Sequence, residues 1–92
     1  MKSTMAFTLP IFNLNGTRPE SIYDEFNEAL QSLRKSRECL NQCTVHGRDF
    51  QSNPIGQYDK ARYEHRLILH YLDEAMDFCE AWMERAQEAI NR

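Results

Sequence analysis

The sequence predicts an all-α protein, a long antiparallel two-helix hairpin with an extended N-terminal segment. Three observations predict it. Two stretches repeat apolar residues at alternating steps of three and four. Between them, the segment TVHGRDFQSNPIGQ breaks the pattern with Gly47, Asn53-Pro54 and Gly56. Ninety-two residues, 41% hydrophobic and 27% charged, have the composition of a folded chain but the length of a single domain.

Residues 1–16 are read as an extended N-terminal arm. Within it AFTLPIFNL, residues 6–14, is apolar and β-prone, but Pro10 cannot donate a ladder hydrogen bond, so a strand here would be an edge strand. Asn15-Gly16 marks a turn, and Thr17 with Glu20 has the spacing of a capping box, with Pro19 suited to the first helical turn. The first helix is thus expected over about 18–44. Its apolar face is Ile22, Phe26, Ala29, Leu33, Ser36, Leu40 and Cys43, widened by Tyr23 and Leu30. Residues 45–56 form the connecting loop, in which Gly47 could end the helix in the left-handed conformation and Phe50 could plug the hairpin end.

The second helix, about 57–90, carries two heptad series. One is Tyr58, His65, Leu72, Cys79 and Ala86, and the other is Ala61, Ile68, Ala75, Trp82 and Ala89. A further row of Leu69, Met76, Met83 and Ile90 makes the apolar stripe broader than one helix can cover. Two helices alone are marginal, so a homodimer with a four-helix arrangement is expected.

Folding the chain symmetrically about its loop places residue i beside roughly residue 102 minus i. On that map helix 2 overhangs at its C-terminal end, and the open end gathers Glu20, Asp24, Glu25, Glu28, Asp73, Glu74, Asp77, Glu80, Glu84 and Glu88. Arg34, Lys35, Arg37, Arg48, Lys60, Arg62 and Arg66 gather near the loop. Such carboxylates serve solubility as solvated faces, or they form an acidic surface for a basic partner. The candidate partner-binding residues are Asp73, Asp77, Glu80, Glu84, Trp82, Met83, Glu25 and Glu28, with Arg48 and Phe50 as loop contacts. The net charge of −3 disfavours direct nucleic-acid binding.

Cys39, Cys43 and His46 have side chains that could reach one zinc ion, but neither a CxxC pair nor an HExxH motif accompanies them. The two thiols read as small residues of the buried face. His65 occupies a core position and reads as a register determinant. With no nucleophile, base and orienting acid in a visible constellation, neither an enzyme nor a cofactor is expected. Three cysteines, two of them four apart on one helix, read as reduced thiols and point to a cytoplasmic setting. No segment has the length of apolar residues needed to span a membrane.

Asn15-Gly16-Thr17 opening a helix, His46-Gly47-Arg48-Asp49-Phe50, and His65-Arg66 in a second helix resemble small uncharacterised helical-hairpin proteins encoded by bacteriophages and prophages. The resemblance covers about residues 13–70. It implies an accessory protein that binds and inhibits a host protein or defence complex. The expected function is therefore a non-enzymatic interaction module, the alternatives being a structural self-associating subunit or a metal-binding or redox protein.

Overall fold

A computed structural model describes residues 6–92, so the first five residues of the expected arm lie outside the described residues. Helix α1 runs Pro19–Asn41, a short 3-10 helix runs Gly47–Phe50, and helix α2 runs Gln57–Ile90. There is no strand among the described residues, so the edge-strand alternative for residues 6–14 is not realised. The two helices pack along each other in a rod of 62 × 22 × 20 Å.

Helix α1 starts without its expected capping box. Arg18 is the N-cap and no side chain caps it; its guanidinium instead lies 3.4 Å from the Glu20 carboxylate, which is thereby drawn from the backbone. Pro19 fits the first turn, where its missing N–H costs nothing. Just upstream, Asn13 builds the turn by accepting from the Asn15 N–H through Oδ1 at 2.9 Å and from the Gly16 N–H through its carbonyl at 3.3 Å.

The end of α1 also differs from expectation. The helix stops at Asn41, three residues early, without a left-handed glycine: the Gln42 N–H donates to the carbonyls of Glu38 and Cys39, and the Cys43 N–H to that of Leu40. Gly47 opens the 3-10 helix instead, where a Cβ would lie 3.4 Å from the Tyr58 ring. The left-handed residue is Gly56, at φ 91°, and it forms the N-cap of α2.

The buried seam of α1 is rotated from the predicted face. Leu30 is buried and Phe26, Leu33, Arg37 and Leu40 are half-buried, whereas Ala29, Ser36, Cys39 and Cys43 are exposed. Both thiols were expected inside. The pattern was misread because Arg37 is polar yet lies on the seam, its stem covered and its head group paired. On α2 the seam is His65, Leu69, Leu72, Met76, Cys79, Met83, Ala86 and Ile90, with Leu69, Cys79 and Ala86 buried.

The hairpin register is shifted from the symmetric map. Arg37 meets Asp73, Arg34 meets Glu80, and Phe26 stacks on Trp82 with ring centroids 4.8 Å apart. The cause is the loop, which climbs beside the first turns of α2, with Phe50 and Gly47 against Tyr58. Helix α2 therefore overhangs at its loop end, while its C-terminal turns lie beside Tyr23. Near the end of α1, His65 Nε2 lies 2.8 Å from the Leu40 carbonyl; the carbonyl can only accept, so Nε2 carries the hydrogen that bridges them.

Candidate protein-binding groove

At the open end, α1 and α2 leave a groove of about 430 Å³ between them. Its floor is apolar, made by Tyr23, Leu30 and Met83, and its α2 rim carries Glu80, Glu84, Gln87, Glu88 and Asn91. Arg34 of α1 closes one side, its guanidinium 3.7 Å from the Glu80 carboxylate. Side chains three and four apart share one face of a helix, which is why positions 80, 83, 84 and 87 line one wall. Arg34 faces Glu80 and Arg85 approaches Glu88 at 3.8 Å, so the rim carries three carboxylates to two guanidinium groups.

The other side of the open end is closed by the N-terminal segment. The Phe7 ring lies edge-on to Phe78 at 5.2 Å, and Phe26 touches both Phe78 and Trp82. The Arg85 guanidinium donates to the Pro10 carbonyl at 2.9 Å, holding the segment along α2. Trp82 Nε1–H is buried with no hydrogen-bond partner among the described residues, so the ring serves here as packing surface.

The candidate residues thus divide among several places. Glu80, Met83 and Glu84 meet in the groove. Trp82 faces the aromatic cluster, and Asp73 is engaged by Arg37, whose Nε donates at 2.6 Å and whose second nitrogen donates at 3.2 Å. That bond raises the already high Arg37 pKa and fixes the cation there. Asp77 is half-buried on α2, and Glu25 and Glu28 are exposed on α1 away from the groove lining. At the loop, Arg48 is exposed with its backbone N–H bonded to His46 Nδ1, and Phe50 is half-buried against Tyr58.

The predicted gathering of ten carboxylates at the open end is accordingly diluted. Arg34 and Arg37, assigned to the loop end, pair with Glu80 and Asp73, while Arg85 approaches Glu88 at 3.8 Å and His70 approaches Glu74 at 3.6 Å. The register shift brings the cations down the rod.

Of the groove residues, sequence reasoning named Glu80, Met83 and Glu84 as contacts and missed Tyr23, Leu30, Arg34, Gln87, Glu88 and Asn91. The available signal was the surplus of apolar positions, since Tyr23 and Leu30 widen the α1 stripe and Met83 widens that of α2. Among the described residues no group of three His, Cys, Asp or Glu side chains is placed to hold a metal ion, and no helix is long and apolar enough to cross a membrane. Cys43 donates weakly to the Cys39 carbonyl at 3.5 Å. No protein-family model, no curated protein and no solved structure matches this chain.

Proposed function

We propose that the hairpin is a non-enzymatic protein-interaction module whose groove receives an amphipathic helix with a basic flank. The groove carries this reading: an apolar floor of Tyr23, Leu30 and Met83 offers anchor positions, and Glu80, Glu84 and Glu88 favour lysine or arginine beside them. The resemblance to phage-encoded hairpins extends the reading to an accessory protein acting in a bacterial cytoplasm, where it binds and inhibits a host protein or defence complex. Affinity purification with the wild type and with Glu80→Lys/Glu84→Lys tests it. The wild type should enrich a discrete protein that the variant loses while keeping its helical circular dichroism. Equal recovery of that protein by both refutes the groove.

A second reading, self-association into a four-helix arrangement, is favoured by exposed area. The chain exposes 7234 Å². A compact protein of 10.9 kDa exposes about 5,600 Å². Only Leu30, Leu69, Cys79 and Ala86 form the buried apolar core among the described residues. The same surplus is available to a second copy.

A further inference from the structure

We infer that two copies pair antiparallel through the outer face of α2, with the two-fold axis beside Tyr71. This rests on the self-association reading and assigns it a surface and an orientation. The face is apolar: Tyr63 is 63% exposed, Ile68 47% and Tyr71 56%, with Leu67 half-buried between them, and at the far end Phe78 keeps one exposed edge beside Phe7.

Charge selects the occupant and its direction. On the flank of this strip α2 carries Arg66 before Tyr71 and Asp77 after it, whereas Glu80 and Glu84 lie on the groove side of the helix and Asp73 is held by Arg37. A parallel copy would set Arg66 beside Arg66 and Asp77 beside Asp77. An antiparallel copy sets Arg66 of each against Asp77 of the other. The apolar strip spans Tyr63 to Phe78, so its midpoint is also near Tyr71, and one axis satisfies both the apolar and the charge pattern.

That axis makes a residue-level demand. Arg66 and Asp77 lie five positions before and six after Tyr71, and their separation is about three helical turns, which puts them on one flank of the strip. In the antiparallel pair Arg66 of each copy stands opposite Asp77 of the other.

Sedimentation equilibrium on the full chain, from micromolar to millimolar concentration, tests the arrangement with wild type, Arg66→Asp, Asp77→Arg and an equimolar mixture of the two variants. Circular dichroism confirms that each remains helical. Wild type should dimerise. Each variant alone places two like-charged pairs across the axis and should weaken association about tenfold or more. The mixture should regain wild-type affinity, because a heterodimer restores opposite charges at both positions. A wild type that stays monomeric to millimolar concentration overturns self-association altogether. A wild type that dimerises while the mixture stays as weak as its components overturns this face and orientation but leaves self-association standing.

Discussion

The bond between Arg37 and Asp73 joins α1 to α2 at a place that the symmetric loop forbids, so Arg37→Ala, Asp73→Ala and their combination test the register directly. The guanidinium grips both carboxylate oxygens, at 2.6 and 3.2 Å, with the two side chains 33% and 38% exposed. Exposed ion pairs couple by about 0.2–1 kcal/mol. Two-pronged geometry and partial cover put this one near the top, at about 1 kcal/mol. Neither charge is deeply buried, so stranding one adds little. Each single change should then cost about 1 kcal/mol, and the double change about the same rather than about 2 kcal/mol. For a chain this size 1 kcal/mol corresponds to a melting shift of about 4–8 °C.

The cycle is best read by urea denaturation at one fixed protein concentration, because association would add to apparent stability. The coupling should shrink as salt is raised. Additive single effects, with no coupling at low salt, would refute the register: under the symmetric map Asp73 faces position 29 and has no tie to Arg37.

Two other changes probe local features. Gly56→Ala should lose about 1 kcal/mol in urea denaturation, since its φ of 91° penalises an L side chain while nothing lies within 4 Å of the added Cβ; unchanged stability would show that the turn relaxes freely. Burial, and secondarily the charge of Glu80, raise the pKa of the Cys79 thiol, so its thiolate fraction is lowest below that pKa and grows as pH rises through it. In a timed alkylation at neutral pH read by peptide mass spectrometry, Cys79 should therefore react after the exposed Cys39 and Cys43, and equal rates for all three would contradict its burial.

Both helices were legible because periodicity is a local property of the chain. The bounds of α2 agree with the expected 57–90, and α1 begins within one residue of expectation. Register was not legible, because it depends on the loop's path: the ring of Tyr58 draws Gly47 and Phe50 up beside α2, and no spacing in the sequence encodes that climb. The same error misplaced the site. With Arg34 and Arg37 assigned to the loop end, an acidic patch of ten carboxylates seemed to follow, whereas Glu80 and Asp73 each face a guanidinium. The turn chemistry was ambiguous for another reason. Gly47 and Gly56 both suit a left-handed turn, and the choice between them depends on what packs against each.

The proposed groove and the proposed pairing face do not compete for the same surface. Successive α-helical residues turn by about 100°, which sets Glu80, Met83, Glu84 and Gln87 roughly opposite Tyr63, Leu67, Tyr71 and Phe78 around α2. Pairing through the second set leaves the first set outward on each copy, so a dimer would present two acidic-rimmed grooves pointing away from its axis. A target with two basic helices could then occupy both, and the second attachment would be intramolecular, raising overall affinity without any new contact. Such a division also gives a role to Tyr63, Leu67, Tyr71 and Phe78, which lie outside the heptad series of α2. One side seals against α1, the adjoining side is partly covered near Phe78 by the N-terminal segment through Phe7, and Tyr63 to Tyr71 with the exposed edge of Phe78 are left for a second chain.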